Sequence, residues 1–131
     1  MRRLEIPATL LGVAVRCLIV DDNRRFLRAA RTLLEREGLT ISGVATTSAE
    51  ALRQAATLGP DVVLVDVALG DESGFELARR LVADHAQRAV ILISTRSEAE
   101  LADAIRLCPA AGFLAKSELS ADAIRGILDG S

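Results

Sequence analysis

Five residues in this 131-residue chain have the types, and follow the kind of segment, that phosphate chemistry needs: Asp21, Asp22, Asp66, Ser94 and Lys116. Each comes directly after an apolar run: RCLIV before the acid pair, DVVLV before Asp66, VILI before Ser94 and GFLA before Lys116. Adjacent aspartates repel, which an exposed turn tolerates at little cost but a buried site does not. Three carboxylates gathered in one place raise one another's pKa. A hard divalent cation with oxygen ligands resolves that conflict, and Mg2+ uses one or two carboxylates plus water and phosphate oxygens; Mn2+ is the alternative. No Cys or His joins the set, which argues against zinc. A lysine and a hydroxyl suit the remaining oxygens of a phosphoryl group. An aspartate can be the nucleophile of such a transfer, forming an aspartyl phosphate, with positioning and electrostatics supplying most of the catalysis. Asp21 and Asp22 form a pair placed to hold metal. Asp66 stands alone and reads as the acceptor.

These residues must be brought together by the elements that carry them. Apolar runs at 15–20, 39–45, 61–66, 89–94 and 111–115 each precede a helical pattern. The first helix crosses Phe26, Ala30, Leu33 and Glu37 and ends at Gly38. Thr47 with Glu50, Ser73 with Glu76, and Ser97 with Glu100 have capping-box spacing for the next three. Phe75, Ala78 and Val82 make one face of the third. The fourth is expected over Ser97 to Cys108, with Leu101, Ala104, Ile105 and Cys108 aligned, and a last short helix begins near Ser120. Runs three and four are apolar throughout rather than alternating, so both of their faces are covered. The expected fold is α/β: a doubly wound, flavodoxin-like (βα)5 parallel sheet of strand order 2-1-3-4-5. Ligands bind such sheets beyond the carboxyl ends of the strands, where the order reverses. That crevice lies between strands one and three, and it receives all five residues.

Composition sets the bounds. Half the residues are apolar and 26% charged, as in an ordinary globular domain. Sixteen basic and 18 acidic residues give a net charge of −2 with no basic stripe in the sequence, which argues against nucleic-acid contact. Three Phe with no Trp or Tyr leave no stacking platform. Cys17 and Cys108 belong to no CxxC pattern and read as buried reduced thiols, which suits a reducing cytosol. His85 reads as a surface residue. MRRLEIPATLLGVAV loosely imitates a signal peptide, but Glu5 and Pro7 interrupt it and no cleavage motif follows. Residues 1–14 are therefore expected to be an extension, with the domain spanning 15–131. No apolar run approaches the roughly 18 residues of a membrane span, and the expected location is the cytoplasm.

Taken in order, LIVDDN, DVVLVDVALGDESGFEL, VILIST and GFLAKS resemble the response-regulator receiver domain of bacterial two-component signalling, over about Val15 to Leu128. The resemblance implies Mg2+ held by Asp21, Asp22, Asp66 and the backbone carbonyl of Ala68. It implies that Asp66 takes a phosphoryl group from the phosphohistidine of a sensor histidine kinase, with Ser94 and Lys116 on its oxygens. Phe113 would be the aromatic that moves inward as Ser94 shifts. The fourth helix, fifth strand and fifth helix would present the change to a downstream target or output domain, by a monomer or a phosphorylation-dependent dimer. Such a chain is a phosphoacceptor rather than a turnover enzyme. Several positions depart from the commoner pattern, among them Ser94 for a commoner Thr and Phe113 for a commoner Tyr. Leu69-Gly70 replaces a frequent Met-Pro, implying a more mobile loop. Ser117 replaces a frequent Pro, removing the usual reason for a cis peptide. Arg96 and Ala68 flank the mouth of the pocket. The alternatives are an interaction module that keeps the fold without phosphorylation, and the receiver part of a longer DNA-binding regulator. A phosphatase with an aspartyl intermediate is disfavoured, because DVALG offers no second acid after Asp66.

Overall fold

The computed structural model describes residues 14–85 and 87–130. The proposed N-terminal extension lies outside them but for Ala14. In chain order the elements are β1 (Arg16–Val20), α1 (Arg24–Arg36), β2 (Thr40–Ala45), α2 (Ser48–Leu58), β3 (Val62–Asp66), β4 (Ala68–Leu69), β5 (Glu72–Ser73), α3 (Gly74–Asp84), β6 (Ala89–Ser94), α4 (Ala102–Arg106), β7 (Gly112–Ala115), a 3-10 turn (Lys116–Glu118) and α5 (Ala121–Gly130). The five longer strands form one parallel sheet of order β2-β1-β3-β6-β7. Counting only those strands, this is the expected 2-1-3-4-5.

The strand sequences explain why the sheet is central. Every residue of β3 and all but the first of β6 are buried, and successive side chains point to opposite faces. Ile19, Leu64, Ile91 and Ile93 meet Leu27, Ala30 and Leu34 of α1 and Ile124 of α5 on one face. Leu18, Val63, Val65 and Leu92 meet Ala51 and Ala55 of α2 and Leu77, Ala78 and Leu81 of α3 on the other. The helices thus divide two and two across the sheet, with the short α4 contributing little.

Caps fix where the helices start. Asn23 Oδ1 accepts the Phe26 N–H, Thr47 Oγ1 that of Glu50, and Ser73 Oγ that of Glu76. The buried stripe of α1 is Leu27, Ala30 and Leu34; Leu33, expected on it, is exposed by 36%. In α3, likewise, Leu77, Ala78 and Leu81 are buried whereas Phe75 and Val82 are only half-buried. The stripe turned outward on α1 gathers Arg25, Arg28 and Arg36 around Ala29, Thr32 and Leu33. A local basic stripe therefore exists that the linear sequence hid, because the 3.6-residue helical period collects positions that are apart in the chain.

The fourth helix is much shorter than expected. Ser97 and Glu100 exchange the capping bonds, yet the chain passes through turns to a helix of only Ala102–Arg106, none of it buried. Three of the segment's apolar residues are alanines, Leu107 is 74% exposed, and Pro109 forbids extension. There is too little apolar area to hold a long helix against the sheet. The ends of other helices are tied across the molecule. Glu37 Oε1, just past α1, accepts the Ala121 N–H at the start of α5 at 2.7 Å. The buried guanidinium of Arg88 donates to the carbonyls of Ala55 in α2 and Leu81 in α3.

Candidate functional site

The polar residues singled out above all fall at the carboxyl edge of the sheet. Asp21 and Asp22 follow β1, Asp66 and Ser94 end β3 and β6, and Lys116 follows β7. Asp21 is fully buried, while Asp66 is 7% and Ser94 3% exposed; Asp22 is exposed. Each of the three aspartates places a carboxylate oxygen within 4.8 Å of the others. The Lys116 Nζ stands 2.5 Å from Asp21 Oδ2 and 3.1 Å from Asp66 Oδ2. Ser94 pairs in register with Ala115, so the hydroxyl and the lysine arrive on neighbouring strands.

Burial is the strongest influence on Asp21 and pushes its carboxyl above the usual range. The hydrogen bonds from Lys116 and from the Asn23 N–H pull it back only in part, and the charge on Asp66 adds to the rise. For Lys116, burial acts to lower the pKa, but the two carboxylates outweigh it and the ammonium is held more firmly than usual. The lysine is thus a secure charge, and ionised Asp21 is the costly one. Its Oδ2 is buried, and the Lys116 Nζ beside it does not fully offset that burial. An under-satisfied buried carboxylate oxygen, in an all-oxygen cluster, is what a hard divalent cation fits.

The backbone around Asp66 is closely built. The Ala68 N–H donates to Asp66 Oδ1 at 3.1 Å. At Gly74 an added Cβ would lie 1.9 Å from the Asp66 carbonyl oxygen, so only glycine fits there. The segment between them is folded rather than loose: β4 and β5 pair antiparallel across a turn at Gly70, whose φ is +59°. Leu69 is buried, and Glu72 Oε1 accepts the Ser48 N–H at the start of α2. Glycine at 70 permits the tight turn, and it is the turn that closes the segment. Ser94 Oγ accepts the Arg96 N–H at 2.9 Å. Phe113 is half-buried against the α2–α3 side of the core. No described peptide bond is cis, including the one before Ser117, as that residue led us to expect. Cys17 and Cys108 are free and buried, and His85 is exposed.

Sequence reasoning missed one neighbour. The Lys116 Nζ lies 4.3 Å from the centroid of the Phe26 ring. The sequence pattern places Phe26 on a helical face and gives no more, because no spacing signal links two residues in different elements so far apart in the chain.

The whole arrangement has relatives. A model of the response regulator receiver domain matches residues 17–128. Response regulator GacA of Pseudomonas viridiflava is 31% identical over 114 residues, covering 86% of this chain and 53% of that protein. A LuxR-family two-component response regulator from Aurantimonas sp. SI85-9A1 superposes with a TM-score of 0.80 at 25% identity, over 89% of this chain and 86% of that one. A Burkholderia pseudomallei response regulator, solved with a phosphorylated aspartic acid, calcium ion and citrate, superposes at 0.73 with 26% identity, over 87% and 66%. The chain spans about half the length of the curated regulators it matches first. With the fold, the crevice and the family match in agreement, the chain belongs to the response regulator receiver domains, which are phosphorylation-switched signalling modules.

Proposed function

We propose that Asp66 is the phosphoacceptor of this receiver and that Asp21, Asp22, Asp66 and the Ala68 carbonyl hold Mg2+, with Mn2+ as a substitute. The observation that carries the reading is the acid cluster, whose two buried members, Asp21 and Asp66, are bridged by Lys116 at 2.5 and 3.1 Å; the Burkholderia relative solved with a phosphorylated aspartic acid and a calcium ion supports it. The metal supplies charge neutralisation for the acids and for the phosphoryl oxygens. An Asp66 carboxylate oxygen attacks the phosphorus of a phosphohistidine on a sensor kinase. The O–P bond forms as the P–N bond breaks, and the electron pair leaves on the imidazole nitrogen. Lys116 and Ser94 then bind the equatorial oxygens. Ser94 must leave its contact with the Arg96 N–H or share it, and Phe113 on the adjoining strand responds by moving inward. The α4–β7–α5 face carries the change to a separate target protein or an output domain, in the cytoplasm, as a monomer or a switch-dependent dimer. Residues 1–14 form an extension ahead of the receiver, which spans 15–131. The chain has no turnover chemistry of its own beyond acquiring and losing the phosphoryl group.

The test is intact-mass spectrometry after incubation with acetyl phosphate and Mg2+. Wild type is expected to gain one base-labile phosphoryl group and Asp66→Asn none. A wild-type chain that stays unmodified leaves only the reading as a non-phosphorylated interaction module.

A further inference from the structure

We infer that Phe26 is the positioning residue for Lys116, a role that rests on the phosphoacceptor reading above. The lysine ammonium has three donor hydrogens and no acceptor, and it lies against two carboxylates and one aromatic ring, 4.3 Å from the ring centroid. The two kinds of contact behave differently when the site changes. The pairing with Asp21 uses a carboxylate that the metal reading also requires, so it is given up or shared on loading. The pairing with Asp66 changes once that carboxylate is esterified. The attraction of a cation to a ring face depends little on donor direction, so the ring keeps hold of the ammonium while its carboxylate partners change.

The ring is itself held by the acid cluster. Asp21 Oδ1 accepts the Asn23 N–H at 2.8 Å, and Asn23 Oδ1 accepts the Phe26 N–H at 3.1 Å. Asp21 therefore fixes the first turn of α1, that turn aims the ring, the ring meets the lysine, and the lysine returns to Asp21. The circuit needs both the aromatic ring and its place three residues after the cap. Phe26 also packs against the core face shared by α1 and α5, so a substitution must separate packing from the ring's electrostatics. Leucine keeps most of the apolar contact and removes the ring; tyrosine keeps the ring.

The experiment compares wild type, Phe26→Leu and Phe26→Tyr by the rate of acetyl-phosphate modification at saturating Mg2+. Alongside it, the NMR shift of the Lys116 ε-methylene is read in metal-free protein. Phe26→Leu is expected to slow modification roughly fivefold, the factor for about 1 kcal/mol, and to abolish the upfield ring-current shift. Phe26→Tyr is expected to restore both. Equal rates for wild type and Phe26→Leu, or a loss that tyrosine does not rescue, overturn the inference. If wild type takes no phosphoryl group, the acceptor reading fails, and the methylene shift alone then decides whether the ring holds the lysine.

Discussion

Charge at the edge of the sheet is set residue by residue. Asp21 is the costly member of its cluster, because burial raises its pKa and the nearby lysine does not fully compensate. Asp21→Asn is therefore expected to weaken Mg2+ binding by about tenfold or more, measured by calorimetric titration, since the chain has no Trp to report quenching. Cys17 behaves differently. Its burial in β1 pushes the thiol from the ordinary 9.0 up to about 12. Between those values the unfolded chain has lost a proton that the folded chain keeps. The contribution of this thiol to stability is whole below pH 9 and falls by about 1.4 kcal/mol per pH unit as pH rises toward 12. Urea denaturation across that range is expected to show the slope in wild type. In Cys17→Ala a shallower decline should remain, because burial also raises the Cys108 thiol from 9.0 and Lys116 is raised from its ordinary 10.5. The acceptor crevice was legible at this scale because each polar residue directly ends an apolar run. The ring over Lys116 was not, because nothing local encodes a contact between α1 and the turn after β7.

Among the elements, the segment from Asp66 to α3 has the least freedom. Gly74→Ala forces a methyl group against the backbone carbonyl of Asp66, so the backbone must shift. A loss of about 3 kcal/mol is expected in urea denaturation, together with a slower acetyl-phosphate reaction because the acceptor strand must shift. By contrast, Leu107→Lys on the α4 segment is expected to change stability by no more than about 0.5 kcal/mol, because that side chain is 74% exposed. The two sites show how far patterns reach. The glycine after the acceptor was visible as a motif, but its reason, a carbonyl 1.9 Å from the would-be Cβ, exists only in three dimensions. The β4–β5 hairpin was invisible because strands of two residues have no periodicity to read. The fourth helix was over-read for the opposite reason. Its cap and spacing are present, but Ala99 and Ala102 are exposed and Leu101, Ala104 and Ile105 are only half-buried, so too little area is buried to extend it.

For the molecule as a whole, the sheet separates two cores that share strands but not side chains. Ile91 and Leu92 are neighbours in β6, yet one faces α1 and α5 and the other faces α2 and α3. Ile91→Val is expected to cost about 1 kcal/mol and Leu92→Ala about 2–5 kcal/mol. Because they share no partners, the double variant should equal the sum to within about 0.5 kcal/mol, as read from denaturation midpoints and slopes. Strand order was legible because wholly apolar third and fourth runs leave no solvent-facing side. The bond from Glu37 to the Ala121 N–H also bears on how the chain is made. During synthesis β1, β2 and β3 leave the ribosome long before α5 does, and Glu37 has no helix to cap until a residue 84 positions later emerges. Until then its carboxylate lacks this partner, so the tie between the end of α1 and the start of α5 is among the last contacts of the domain to form.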